Sequence, residues 1–366
     1  MYPKYYHKFT VSDFLSLISG IFINKSEKAR LLLRKIYGNK IFFFFDSGRT
    51  CLSILLKALN YPKYSELIVP INCCPVVPEA IKLNELVPVY VDIDNNLTIL
   101  PEDLDRKITT KTRGVICVAQ YGNVPDYGKI ISICKKNNID IIQDLAHTFT
   151  ATYRENYLTE IGIASFFSLG VTKSITTFEG GILLLNDQKI DMDIISKYLK
   201  KRENIFTCFK RIAKFLFFVF GTKPPIYRLF TKRLVNLAKS MSFYQPKHRV
   251  LSKGALSLLC NILPRIQQIE NKRRNRFKEI KEKMKIPDSE IYQLNNNRSS
   301  SCLVMPIKKD YFEKKLKSKI KVKVDFPEPL PLLKNYYDLN ENYCNAERIY
   351  KNLHLLPTFE LNWKGI

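Results

Sequence analysis

From Ile41 to about Asn186 the chain repeats one rhythm, in which a short apolar run is followed by a polar or glycine turn and then a helix-like stretch. Runs this short and this continuously apolar suit strands covered on both faces, so the pattern predicts an α/β sheet that is mainly parallel. The predicted strands are 41–45, 66–69, 87–91, 114–119, 140–143, 164–168 and 181–185. Helix-like stretches fall at 50–59, 76–83 and 127–137, and Pro75 and Pro78 suit the opening turn of the second. A sheet of this kind binds ligands beyond the carboxyl ends of its strands. Residues that carry chemistry are therefore expected just after each apolar run.

A length of 366 residues with 46% hydrophobic residues allows one large core and a smaller second domain. The expected division is an N-terminal and large domain over 1–245 and a small α/β C-terminal domain over 246–366. Within the first, 206–241 is basic and aromatic, with Phe209, Ile212, Ala213, Leu216 and Phe220 at helical spacing. Such a helix packs on its own domain or a partner subunit, or makes peripheral contact with an anionic membrane. Further on, 267–285 is heavily charged and reads as a helix solvated along one face. The last third has apolar runs at 302–307 and 320–324.

The formal net charge of +25 raises the local concentration of anionic ligands without selecting among them. Zinc-knuckle, basic-zipper and helix-turn-helix patterns are lacking, so nucleic acid is not the expected partner, and no metal site is expected. The nine cysteines show no paired CxxC spacing and read as reduced thiols. The basic start lacks a small-residue cleavage site, and the most apolar run, 215–220, is far short of the roughly 20 residues of a membrane-spanning helix. A cytoplasmic protein, at most peripheral to the inner face of a membrane, is expected.

Four segments carry residues suited to one site. Ser47-Gly48-Arg49-Thr50 joins the run 41–45 to a helix, where glycine lets backbone approach an anion and a helix start favours phosphate. Asp144 closes the buried run 139–143 and is followed by His147. A carboxylate there can pair with a protonated pyridine nitrogen, and His147 can lie over or beside such a ring. Singly, Asp144 reads equally as a helix cap and His147 as a buried histidine. In the third segment a strand ends in Ser168 and Lys173 follows five residues later. A short glycine-containing loop can hold that amine partly desolvated and ready to form an imine. The fourth is Glu179-Gly180-Gly181, where paired glycines permit a tight backbone path beside a ligand.

In this order, Ser47-Gly48, Asp144-Leu145-Ala146-His147, Ser168 to Thr172-Lys173 and Gly180-Gly181 resemble the DegT/StrS sugar aminotransferases. Val89 to Asp94 and Gln120-Tyr121-Gly122 are similar to the strand ends of that family, and the resemblance is close over 45–187. It implies the PLP-dependent transferase fold type I, with a mixed, mainly parallel sheet covered by helices. It further implies pyridoxal 5′-phosphate (PLP) held as a Schiff base on Lys173, with Asp144 on the pyridinium and His147 near the ring hydroxyl. Ser47, Gly48, Arg49 and Ser168 would hold the phosphate, and Lys173 would also shuttle a proton. The implied reaction moves an amino group from glutamate to a nucleotide-linked keto-sugar, for surface polysaccharide or lipopolysaccharide, in a homodimer.

Four departures stand beside it. Cys74 occupies the position of the family's ring-stacking aromatic residue, Val171 stands where proline often precedes Thr-Lys, and 206–241 looks like an insertion. The phosphate-binding asparagine that relatives take from the neighbouring subunit has no counterpart in 244–249, where Lys247 or His248 is expected to substitute. The alternatives are dehydration of a nucleotide sugar on the same scaffold, or a non-catalytic or regulatory protein of the same fold. Dehydrating relatives carry histidine in place of the lysine.

Overall fold

Four consecutive phenylalanines, Phe42 to Phe45, set the layering. Successive side chains of a strand point to opposite faces, so this run is at home only where both faces are covered. In the computed structural model, which describes residues 7–199 (except 8, 21 and 188), short pieces between 212 and 221, 249–292, 298–299, 304–319 and 341–358, that is what happens. Phe42 and Phe44 join one apolar cluster with Ala29, Leu33, Tyr37 and Leu258. Phe43 and Phe45 join another with Leu52, Leu55 and Leu56.

The central sheet has seven strands. They are β1 (Ile41–Phe45), β2 (Glu66–Pro70), β3 (Val87–Val91), β4 (Thr112–Val118), β5 (Asp140–Asp144), β6 (Ala164–Ser168) and β7 (Gly181–Leu185). Their spatial order is β1-β7-β6-β5-β4-β2-β3. The pairs from β3 to β6 are parallel, whereas β7 is antiparallel to both β6 and β1. Six carboxyl ends and the beginning of β7 therefore open on one edge of the sheet.

Helices α1 (Val11–Ser19), α2 (Ser26–Tyr37), α3 (Gly48–Leu59), α4 (Val76–Lys82), α5 (Pro101–Lys107), α6 (Tyr127–Lys136) and α7 (Met192–Tyr198) accompany the strands. Two more, α8 (Lys253–Ile262) and α9 (Ile266–Met284), lead to a two-stranded antiparallel ribbon, β8 (Val304–Lys308) with β9 (Leu353–Pro357), and to α10 (Cys344–Lys351). Residues 249–251 are stitched to the sheet: Asp46 N–H donates to the Arg249 carbonyl (2.9 Å) and Leu251 N–H to that of Phe44 (3.1 Å). α8 packs beside α1 and α2 in the cluster that holds Phe42 and Phe44. A separate small cluster begins at Phe277 and Ile280 and takes in Met305, Ile307, Phe312 and Leu356. The expected domain boundary at 245/246 and the run 320–324 lie outside the described residues.

Most of 206–241 also lies outside them. In its described part the buried side chain is Phe215, which meets Phe9 and Phe178 with ring centroids 5.2 and 5.3 Å apart. Leu216 and Phe220, placed on the apolar stripe by sequence, are exposed, and so is Ala213. The stripe is corrected because aromatic packing from the N-terminal segment selects Phe215. Among the described residues no helix is long and apolar enough to cross a membrane.

Candidate active site

The turn after β1 is built by side chains that cap a helix. Ser47 is the N-cap of α3, accepting from the Thr50 amide (3.1 Å), and the Thr50 hydroxyl donates to Asp46 (2.5 Å). Such a start presents backbone amides and the positive end of the helix dipole. Gly48 must be small: a Cβ there would stand 3.2 Å from both the Phe167 carbonyl and the Ser168 Cβ. The turn therefore lies against the end of β6, with Ser168 beside it, and Arg49 follows half-buried.

The glycine pair before β7 explains how the turn gets so close. A Cβ at Gly181 would meet the Ser47 carbonyl carbon and oxygen at 2.5 Å and the Gly48 nitrogen at 2.6 Å. Gly180, at φ +115°, donates its amide to the Asp46 carbonyl (2.9 Å). The backbone path that the sequence placed next to a ligand lies next to the turn that starts α3.

Lys173 sits on the 12-residue connection between β6 and β7. Its amide donates to the Gly170 carbonyl (3.1 Å), and a Cβ at Gly170 would lie 3.8 Å from the Lys173 Cγ and 3.6 Å from the Ser168 hydroxyl. The lysine stem thus folds back over Gly170 beside Ser168. Its Nζ reaches His147 Nε2 at 3.0 Å. On the other side of that ring, the Tyr121 amide donates to His147 Nδ1 at 3.0 Å, and the two rings lie parallel, 5.8 Å apart. A main-chain N–H can only donate, so Nδ1 is an acceptor and a neutral imidazole carries its proton on Nε2. That proton points at Nζ. Burial, and then the charge of Lys173, hold His147 well below the ordinary histidine range.

Asp144, the last residue of β5, is buried and accepts from the Ala146 amide at 3.0 Å. Burial pushes its carboxyl up to about 6, against the opposing pull of the Ala146 amide and Lys173. Cys74 follows β2, half-buried, and its neighbour Cys73 is fully buried. The Cys73 thiol is raised first by burial, then by Cys74 and Asp144, which puts the cysteine pair at the same edge. The structure therefore brings Ser47, Gly48, Cys74, Asp144, His147, Ser168 and Lys173 to one rim, with Arg49 in the turn. Lys247 and His248 lie outside the described residues.

A family model for the DegT/DnrJ/EryC1/StrS aminotransferase family matches residues 16–209, more than half of the chain. The chain belongs to the DegT/DnrJ/EryC1/StrS aminotransferase family. It is 34% identical over 146 residues to the GDP-perosamine synthase of Escherichia coli O157:H7, an alignment covering 40% of each chain. Over 166 residues it is 31% identical to the dTDP-3-amino-3,6-dideoxy-alpha-D-galactopyranose transaminase of Aneurinibacillus thermoaerophilus, covering 44% of this chain and 46% of that one. The chain thus spans under half the length of these curated relatives. Its fold matches Helicobacter pylori PseC, an aminotransferase involved in the biosynthesis of pseudoaminic acid (TM-score 0.72, 16% identity, 97% and 93% of the two chains). It equally matches the E. coli GDP-4-keto-6-deoxy-D-mannose-3-dehydratase with bound hydrated PLP (TM-score 0.74, 20% identity, 99% and 96%). The fold is the PLP-dependent transferase fold type I.

Around this family's site, two functional neighbours escaped the sequence. Helix α9 is solvated along one face, as expected, and its buried positions are Ile266, Glu270, Arg273, Phe277, Ile280 and Met284. Glu270 accepts from the amides of Phe149 and Thr150 (both 2.9 Å) and from the Thr150 hydroxyl. Arg273 Nη2 donates to the Ser174 carbonyl (2.6 Å), one residue past Lys173. The signal was present: both charges fall in phase with the apolar stripe. Tyr121 was named by sequence only at a strand end; its contribution is an amide, which no side-chain motif reports.

Proposed function

We propose that this chain is a PLP-dependent aminotransferase that moves an amino group, taken from glutamate, to a nucleotide-linked keto-sugar for surface polysaccharide or glycan. It is proposed to act in the cytoplasm as a homodimer. The carrying observation is the Lys173 amine placed at His147 Nε2, with a buried carboxylate at the end of β5 and an anion-binding turn packed on Ser168. The names of the related perosamine synthase and aminosugar transaminase support the acceptor class, and the net charge of +25 suits an anionic substrate.

The residues fit the cofactor. Ser47, Gly48, Arg49 and Ser168 would hold its phosphate, Lys173 its aldehyde carbon and Asp144 its ring nitrogen. When bound, PLP supplies an electron-withdrawing ring that stabilises negative charge on a substrate carbon. Asp144, without a cation of that kind, keeps its carboxyl at about 6, so a pyridinium satisfies a site that burial alone disfavours. Once displaced by the amino donor, the Lys173 amine is the group positioned to take and return the proton at Nζ. His147 orients that amine, with its own tautomer fixed by the Tyr121 amide. Cys74 offers a small thiol in place of an aromatic stacking partner, which leaves ring position to Asp144 and His147.

Dehydration of a similar sugar is the second reading, because a dehydratase shares the fold. Lys173 favours transamination, since dehydrating relatives have histidine there. The test is to add PLP and follow the absorbance of lysine-bound cofactor, then to supply glutamate and a panel of nucleotide keto-sugars. Wild type is expected to show both the band and aminated product. Lys173→Ala should lose the band and slow turnover by roughly 10²–10⁴-fold. Wild-type protein that takes up no cofactor refutes the reading.

A further inference from the structure

A cavity of about 330 Å³ lies between the N-terminal segment, the residues just after Lys173 (Ser174, Ile175 and Thr176) and helix α9. Arg265, Ile269, Lys272, Arg273 and Arg276 all line it. Their spacing of i, i+4, i+7, i+8 and i+11 is one face of a helix, so the wall is a feature of α9 as a whole. Four of these five are cations. Asp13 is the one carboxylate on the wall among the described residues, and it is engaged by Arg265 at 2.5 Å and by the Thr10 amide at 2.8 Å. Phe9, Ile175 and Ile262 give the remaining wall an apolar character.

Arg273 makes this more than a basic surface. It is 9% exposed, and while Nη2 is bound to the Ser174 carbonyl, the buried Nη1 has no hydrogen-bond partner among the described residues. A buried guanidinium donor left unmatched is costly, and an anion in the cavity is the group that would match it. Of the cofactor residues described above, none lines this cavity. It is a second chamber, behind the lysine loop.

We propose that this cavity binds a phosphate-bearing anion, with the phosphate on Arg273 Nη1 and Lys272 at the exposed mouth. The volume is within the lower range of small-ligand pockets, and its apolar wall suits a ligand with an organic body. The site would communicate with the reactive lysine. Arg273 holds the Ser174 carbonyl, and Glu270, one turn away, holds the Phe149–Thr150 amides just beyond His147. By linkage, occupancy that changes cofactor affinity must be changed by cofactor to the same factor.

Titration calorimetry on the full chain, with and without saturating PLP, tests this with three probes: pyrophosphate, UDP and GDP. One site per chain is expected in both states, since PLP fills a different place. Equal binding of pyrophosphate and nucleotides would identify a phosphate site, and binding of nucleotides alone would identify a site for a nucleotide-bearing ligand; either upholds the proposal. Lys272→Glu, on the exposed mouth, should weaken binding about tenfold or more, and Arg273→Gln should abolish it in a variant shown by its melting curve to be folded. Binding that PLP displaces one for one, binding unchanged in both variants, or no binding of any probe overturns it. The proposal does not rest on the transaminase reading: a chain that binds probe but never takes up PLP keeps the one and loses the other.

Discussion

Asp144 illustrates how a functional residue can be recognised by the stability it costs. Its carboxyl rises from 3.8 to about 6 on burial. Between about pH 4 and 6 the unfolded chain has lost a proton that the folded, cofactor-free protein still holds. Stability therefore falls as pH rises through that window, by about 3 kcal/mol, and stays lower above it. His147 acts in the opposite sense: with its value depressed, its contribution is complete above about 6.5 and is lost as pH falls below that. Asp144→Asn removes the first effect alone. At pH 7 the cofactor-free variant should withstand urea better than wild type, by up to about 3 kcal/mol, while binding PLP more weakly. A lower urea midpoint would contradict the origin assigned to the shift. Lys173, Asp144 and Ser168 were legible in the sequence because each follows an apolar run in a fixed order. Tyr121 was not, because what it offers is an amide whose direction depends on a left-handed backbone (φ +55°) that its residue type does not signal.

The strands were equally legible at the scale of elements, 41–45, 87–91, 164–168 and 181–185 matching residue for residue. Continuous apolar runs between turn residues leave little freedom in where a buried strand starts and stops. Helix α9 is solvated along one face as expected, but its buried stripe contains Glu270 and Arg273, and a charge in a core position is informative only when its partners are known. The connection between β6 and β7 and the strand start that follows it make a sharp comparison possible between two glycines. Gly181→Ala drives a Cβ into the Ser47 backbone, so it should cost about 3 kcal/mol and weaken phosphate binding. Gly170→Ala meets nothing closer than 3.6 Å and carries no left-handed φ, so its melting temperature should stay near that of wild type. Thermal melts of the two variants, with and without PLP, decide this.

At the scale of the whole molecule, one of the ties between the sheet and the chain beyond it is a carboxylate. Asp92, just after β3, accepts from the Asn345 (2.9 Å) and Ala346 (2.8 Å) amides at the start of α10. Asp92→Ala should remove about 1–2 kcal/mol of local stability, seen as faster hydrogen exchange in 344–351 with exchange in the central strands little changed. Uniform acceleration across the molecule would mean that α10 and the sheet unfold as one unit. The cluster that starts at Phe277 is separate from those that cover the sheet, whereas 249–263 packs with the sheet. That sheet also governs what the lysine can touch. Because β7 runs against its neighbours, the segment bearing Lys173 is a span footed on adjacent strands, Ser168 opposite Gly181, and only its slack is available for movement. Strands lie about 4.8 Å apart, and from that span Nζ reaches His147 beyond the neighbouring strand β5, so a ring must lie near these two strand ends to meet the amine. Reach, fixed by the direction of a single strand, therefore filters cofactors and their orientations before any bond is made.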